Sequence, residues 1–229
     1  WAWIKNRTAG NIHVLFDSSR GVSSSINTAL TSGNTDSEGL GVNHTSTTVY
    51  GGVSAFLSNG FTLKEGSTDA RYVNKTSNNY VGYAWKANGG TLTTNDASAT
   101  GVGTIDSQYQ ANTTAGFSIV TYTGTGSAGT IGHGLGAVPK WILIKNRDSS
   151  LNWIVYHAEN TSAPETDYLH INTTSATQDS AIFFNDTAPT SSVISLGSGN
   201  NVNDSGDTYV AYVFAGIEGF SKFGSYTGN

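Results

Sequence analysis

Cysteine and methionine are both absent from the 229 residues. No disulfide, thiolate metal site or cysteine nucleophile is therefore open to this chain. A chain without either sulfur residue fits an oxidising or extracellular setting. Charge is scarce as well: charged residues are 12% of the total, about half the usual share. Formal net charge is −5 with a pI near 5.4, and no basic run occurs, which excludes the usual footprint of a nucleic-acid binder. No apolar run approaches the about 18 residues that cross a membrane, so no membrane insertion is expected. Helix formers are thin too. No apolar i, i+3, i+4, i+7 pattern lasts two turns, and Leu- or Glu-rich segments are missing.

What fills the chain instead is Ser, Thr, Asn and Gly, with 5 Trp, 11 Tyr and 9 Phe to build a core. That composition suits strands joined by long polar turns. The stretch from Gly116 to Arg147, GFSIVTYTGTGSAGTIGHGLGAVPKWILIKNR, organises the rest. Its first part returns as Gly219–Gly228, GFSKFGSYTG, and its last part has an earlier copy at Trp1–Arg7, WAWIKNR against WILIKNR. The chain therefore reads as a window onto a tandem repeat that opens and closes mid-unit.

The copies keep step. Ile144 lies 144 − 4 = 140 residues after Ile4, and Tyr156 lies 156 − 16 = 140 after Phe16. Phe61–Leu63 matches Ile194–Leu196 at an offset of 133, and Val73–Trp85 matches Val202–Phe214 at 129. The falling offset places extra loop residues in the first copy, because loops absorb length changes that strands do not. Trp1–Arg7 alternates at strand period and Ile12–Asp17 reads as its hairpin partner, as Trp153–His157 does for Trp141–Arg147. Ser18–Ala55 reads as polar loop, with Thr47–Tyr50 as a possible short strand. Tyr80–Trp85 reads as a central strand covered on both faces, with Val81, Tyr83 and Trp85, like Val210, Tyr212 and Phe214, in the core. Residues 87–116 are a linker or a meander of short edge strands, Val102–Tyr109 among them. Phe117–Thr123 is expected to ladder against Trp141–Arg147 across the glycine-rich loop. By that template Phe220–Thr227 of one chain would lie against Trp1–Arg7 of the next.

Little points to chemistry. Gly132–Gly136 (GHGLG) has no GxGxxG register and precedes a strand opened by Pro139, so it reads as a hairpin loop needing positive φ values. The five histidines, His13, His44, His133, His157 and His170, form no close ligand pair. Asp204 and Asp207 lie in a loop with calcium-like composition, but the matching loop, Asn74–Asn79, has no acid. No cofactor or metal is called for, and no acid–base constellation marks an active site, so the reading is a protein that is not an enzyme. The recurring cluster is Trp1, Lys5, Asn6 and Arg7 with Trp141, Lys145, Asn146 and Arg147. A Trp beside Lys-Asn-Arg can stack a sugar and bond it. It can equally lock one unit to the next, and the lock is preferred because arrays share their interfaces.

Taken as an ordered set, GFSIVTYTG, GHGLGAVPKWILIKNR, WIVYH, TAPTSSV and YVAYVF…EGFSKFGSYTGN resemble the repeated domains of tail-fibre or virion-surface proteins of marine tailed phages. The resemblance covers most of Gly116–Asn229 and, more loosely, Trp1–Lys86. It implies a lectin-like β-sandwich on the virion exterior, and it carries over no catalytic residue.

The expectation is an all-β chain of two tandem β-sandwich units, jelly-roll or lectin-like, with essentially no helix. Residues 1–116 form the first unit, its linker 87–116 included; 117–219 form the second; 220–229 begin a third. The function expected is a structural repeat of an extracellular viral fibre that contributes to host-surface or glycan attachment. The alternative is a secreted or cell-surface glycan-binding adhesin that is not viral. Partners would be copies of the same chain, neighbouring repeats and a host glycan.

Overall fold

The structure, a computed structural model, describes residues 1–22, 28–39, 47–67 and 72–229. In chain order the elements are β1 (Ala2–Asn6), β2 (Val14–Phe16), β3 (Leu30–Thr31), α1 (Thr47–Tyr50), β4 (Gly52–Leu57), β5 (Gly60–Lys64) and β6 (Tyr80–Ala84). There follow β7 (Thr93–Asn95), α2 (Ala97–Thr100), β8 (Ser107–Asn112), β9 (Phe117–Thr123), β10 (Gly129–Gly132), β11 (Pro139–Asn146) and β12 (Ile154–His157). The last are β13 (Asp167–Tyr168), β14 (Gln178–Asp179), α3 (Ala181–Phe184), β15 (Val193–Leu196), α4 (Asn200–Asn203) and β16 (Thr208–Ala215). Each helix is a single turn of four residues, so the chain is all-β and of β-sandwich type. Thr47–Tyr50, expected as a strand, is one of these turns; the strand starts after Gly51, whose φ of +74° and closeness to the Lys64 carbonyl admit no side chain.

Two main sheets carry the fold. One runs β3-β2-β1-β6 and the other β12-β11-β16-β9-β8-β7, each antiparallel throughout. The repeat is preserved in their registers. Ala2 pairs with Phe16 and Ile142 with Tyr156; Ala2 pairs with Ala84 and Ile142 with Val213. Strand alternation then decides which side chains go where. In the six-stranded sheet, Ile142, Ile144, Ile154, Tyr156, Tyr209, Ala211 and Val213 point to one face. Leu143, Val155, Val210, Tyr212, Phe214, Phe117 and Ile119 point to the other. The first face is covered by the β10–β15 ladder and by Phe183 and Phe184 of α3. The second is covered by the four-stranded sheet, which contributes Trp1, Trp3, Leu15 and Leu30. The far face of that smaller sheet, with Ala2, Ile4, Val14 and Phe16, is covered in turn by the β4–β5 hairpin. The two copies are thus stacked sheet on sheet through one shared apolar layer.

Several expectations are corrected here. Phe117–Thr123 makes no ladder with Trp141–Arg147, because β16 lies between them. Neighbours in sequence are separated in the sheet, since a strand arriving some 90 residues later takes the inner place. β1 is itself paired on both edges, to β2 and to β6, so Trp1–Arg7 cannot receive Phe220–Thr227 of another chain. Residues 93–112, within the region expected as the first unit's linker, form β7 and β8 and ladder onto β9, in the second copy's sheet. The strand expected as an edge at Val102–Tyr109 lies at Ser107–Asn112 and is an inner strand, between β9 and β7. The Ser18–Ala55 loop includes β3 and the start of β4.

The expectation of a doubly covered central strand holds for one copy and fails for the other. β16 is central, and Val210, Tyr212 and Phe214 are buried. β6 is an edge strand; Val81 and Trp85 are only partly buried, and Tyr83 is 51% exposed. Phe214→Ala should therefore cost about 3–5 kcal/mol in urea unfolding, as a core aromatic does. Tyr83→Ala, the matched position for Tyr212, should change stability by no more than about 1 kcal/mol. Equal losses at the two positions would show that β6 is buried in solution.

Candidate functional site

Of the residues singled out in sequence, Trp1, Lys145 and Arg147 reach across the seam between the two copies, while Lys5, Asn6 and Arg7 stay within the first. Trp1 is buried among Trp3, Trp85, Phe117, Tyr212 and Phe214, with ring centroids 4.9–6.1 Å away. Trp141 is half-buried and lies against Phe214 at 4.9 Å and Phe223 at 6.2 Å. Neither ring stands open for a sugar.

Asn6 and Asn146 close turns. Asn146 Oδ1 accepts the backbone N–H groups of Asp148 and Ser149 at 2.9 and 2.8 Å; Asn6 Oδ1 accepts those of Thr8 and Ala9 at 2.9 and 3.1 Å. Each side chain also donates to a matched tyrosine hydroxyl, Tyr80 at 3.3 Å and Tyr209 at 3.1 Å. This is Asx-turn chemistry at a strand end, repeated in both copies, and it fixes the hairpin turn.

The lysines diverge. Lys5 is half-buried and donates to the Asn11 carbonyl at 2.5 Å. Lys145 is fully buried and donates to the carbonyls of Asn146 and Ser149, at 2.9 and 3.2 Å, and across the interface to that of Thr35 at 3.3 Å. Burial pushes its ammonium down to about 8, with Asp36 opposing. Arg7 is exposed. Arg147 instead reaches the first copy, where its guanidinium meets Glu38 Oε2 at 2.7 Å and its carbonyl accepts the Glu38 N–H at 2.8 Å.

Glu38 leads to a network that the sequence reading missed. Its other oxygen pairs with Arg20 Nη1 at 2.9 Å, and Arg20 Nε pairs with Asp17 Oδ2 at 2.6 Å. Asp17 Oδ2 also accepts the Tyr212 hydroxyl at 2.7 Å, from the centre of the opposing sheet. The side chains of Asp17 and Arg20 are both wholly buried. Burial alone would raise the Asp17 carboxyl. The Arg20 charge, two backbone N–H donors at Ser19 and Arg20, and the Tyr212 hydroxyl outweigh it and hold the carboxyl below its ordinary value. Trp153 adds a further tie, donating its indole N–H to the Thr31 carbonyl at 2.7 Å. Only Asp17 and Arg20 follow the strand directly; Glu38 lies 18 residues beyond Arg20, and no spacing in the sequence links it to them.

The remaining candidates are structural. His133 is buried with both ring nitrogens bonded: Nδ1 accepts the Leu135 N–H, so Nε2 donates to the Thr190 carbonyl at 3.2 Å. Its neighbours Gly134 and Gly136 have φ of +69° and +68°, as expected, but the loop joins β10 to β11, which do not pair. His170 bonds the Trp153 carbonyl, and His157 accepts the Glu159 N–H. Asp207 Oδ2 accepts from Asn146 and Ser149, at 2.8 and 3.2 Å, and Asp204 Oδ1 accepts the Ser205 N–H. Among the described residues no three His, Asp or Glu gather as metal ligands, and no helix is long and apolar enough to cross a membrane. His44 lies outside the described residues.

A family described as a domain of unknown function, DUF7483, matches residues 1–229. The chain belongs to this family. The match runs unbroken over both copies, so the interface between them lies inside the family's domain. No curated protein and no solved structure matches the chain.

Two consequences can be measured. Asp17→Asn leaves Arg20 buried against a neutral amide and should cost about 3–5 kcal/mol near neutral pH. The stability that Asp17 contributes is present above its ordinary value of 3.8 and is lost as pH falls below that through its lower folded value. The gap between wild type and Asp17→Asn should therefore close in acid, and a constant gap would remove the carboxylate's role. Lys145 acts in the other direction. Its charged form is disfavoured in the fold, so it costs stability on the order of 3 kcal/mol below about 8. That cost fades as pH rises towards 10.5, its ordinary value. Urea midpoints should thus rise in wild type relative to Lys145→Met between those limits. The buried tyrosines, raised by burial in both proteins, cancel in the comparison.

Proposed function

We propose that this chain is a structural repeat segment of an extracellular viral fibre, on a phage tail fibre or virion surface, and has no catalytic role. The observation that carries the reading is the fate of the recurring Trp-Lys-Asn-Arg cluster. Asn6 and Asn146 close turns, and Trp1, Lys145 and Arg147 fill or bridge the seam between two copies of one strand set, which is what residues shared by neighbouring units of an array do. A charge-poor surface rich in Ser, Thr, Asn and Gly, without sulfur, supports an exposed life outside the cell.

Contribution to host-surface or glycan attachment belongs to the same reading as an added role. Of the eight residues only Arg7 is exposed, so attachment falls to other surface. A second reading, a secreted or cell-surface adhesin that is not viral, is supported by the same composition, and location separates the two.

The test is immunogold labelling with antibodies to the folded chain, on particles from an infected culture that carries the gene. Gold along the fibre or virion exterior is expected. Gold confined to the envelope of uninfected cells would replace the viral reading with the adhesin. On a glycan array, Asn146→Ala is expected to leave any retained sugar unchanged while lowering the unfolding midpoint. Loss of sugar without loss of stability would return the cluster to ligand binding.

A further inference from the structure

β6 is matched in sequence to β16, yet the two strands have different neighbours. β16 lies between β11 and β9, whereas β6 lies beside β1 and ends the sheet. Its inner side is defined by the mutual bonds of Trp1 and Trp85, N to O at 3.0 and 3.1 Å, and by Arg7 N to Asn79 O at 2.8 Å. Alternation along an antiparallel strand then turns the backbone groups of Gly82 and Ala84 outward. Gly82, Tyr83 and Ala84 are exposed. Beside the Trp85 end runs a cleft of about 670 Å³, lined by Phe56, Phe61, Trp85 and Gly90 among others. Trp1 also lines it, and its buried indole N–H has no partner among the described residues.

The second copy shows what such an edge takes. There β9 fills the place, with Phe117 opposite Phe214, Ser118 opposite Val213 and Tyr122 opposite Tyr209. Phe117 meets Phe214 in a tilted contact at 4.8 Å, and Tyr122 stacks on Tyr209 at 5.1 Å. The chain contains one more segment of this sequence, Gly219–Gly228; it adds to no sheet, and within it only Ser221 makes an isolated bridge, to Ile217, while Phe223 packs on Trp141 and Phe214, contacts that a donor strand gives up. Phe220 is 65% exposed and Tyr226 is 95% exposed.

We propose that the outer edge of β6 is a strand acceptor and that residues 219–228 of a second copy of this chain are its donor. The template sets the register. Phe220 takes the place of Phe117 and lies opposite Trp85 at the cleft; Ser221 lies opposite Ala84. Tyr226 takes the place of Tyr122 and stacks on Tyr80. The donor is one residue longer, and the extra residue sits as a bulge near Gly224. Lys222 replaces Ile119 and falls over the exposed Tyr83 ring, a wet position that suits a cation. Ladder bonds supply affinity and the two rings supply specificity, as in β-augmentation generally. Each chain has one donor and one acceptor on different surfaces, so the contact is head-to-tail and builds a string, or a ring where the rotation closes.

The proposal rests on the fibre reading for its purpose alone, and its test does not involve the virion. In sedimentation velocity the intact chain should associate with rising concentration. Phe220→Ser with Tyr226→Ser, two exposed sites that leave the fold intact, should weaken association at least tenfold. Gly82→Pro blocks the outward N–H and keeps the bonds to β1, so it should do the same. The decisive arm mixes Gly82→Pro chains with chains lacking residues 219–229. Each retains one half of the contact, so the mixture should form a one-to-one complex and stop there. If Gly82→Pro does not fold, hydrogen exchange replaces it. The Gly82 and Ala84 amides should exchange at least tenfold more slowly in the associated intact chain. A chain that stays monomeric at every concentration overturns the proposal. So does association that survives both tail serines, or association without protection at Gly82 and Ala84. A string-forming chain absent from virions would leave the docking standing and remove the fibre, and a monomeric virion protein would do the reverse.

Discussion

A sheet with two apolar faces has to be covered twice. The six-stranded sheet meets that condition along β9, β11, β12 and β16, where both alternating sets of side chains are buried. Its own copy supplies one cover, through β10, β15 and α3. The other cover is the first copy's four-stranded sheet. The two copies are therefore not independent beads on a string. Without its partner, the second copy would leave Val210, Tyr212, Phe214, Leu143 and Ile119 in water, each worth about 1.5–3 kcal/mol of lost burial. The inter-unit seam is as much a core as either outer layer.

Apolar contact of this kind is permissive about orientation, and the polar groups inside it are not. Tyr212 is at the middle of the apolar seam, and its hydroxyl has to find a partner. Asp17 provides one, and Arg20 then neutralises Asp17, while Glu38 and Arg147 carry the chain of charge to the rim. A buried ion pair of this type adds little net stability against an apolar replacement. What it adds is a single angle and register at which every member is satisfied, since sliding one sheet by a residue would part the Tyr212 hydroxyl from Asp17 and Arg147 from Glu38.

The local pattern was readable and the long-range neighbours were not. Alternation in Trp1–Arg7 and Trp141–Arg147, with the constant 140-residue offset, contains the hairpin registers seen at Ala2 with Phe16 and Ile142 with Tyr156. Sequence nearness, however, misassigned the partner of Phe117–Thr123. Which strand takes the inside place is set by burial summed over the whole sheet, and Thr208–Ala215, the more apolar strand, takes it. The Asn6 and Asn146 turns were legible as recurring residues, although their role was open until the turn amides were seen bonded to them. Arg20 and Glu38 were hidden for another reason. A loop has no period, so nothing in Ser18–Ala55 announces which of its side chains is buried.

That same loop explains why two copies of one motif behave differently. In the second copy β15 pairs with β10, which precedes β11; in the first, β5 pairs with β4, which the extra loop residues bring in just ahead of it. In the first copy the loop after β2 also lays Thr31, Thr35 and Glu38 across the seam. Trp153, Lys145 and Arg147 are the residues it meets. Lys5 and Arg7 have no such roof, because the matching loop of the second copy does not reach across to them. Lys5 therefore stays half-buried on a local carbonyl and Arg7 stays in solvent, while Lys145 is stripped of water and its ammonium is pushed down to about 8. The asymmetry follows from which loop crosses the seam, not from the motif. A further chain placed against β6 would change the surroundings of Tyr83 and Trp85 in the same way, by adding a cover to residues whose counterparts already have one.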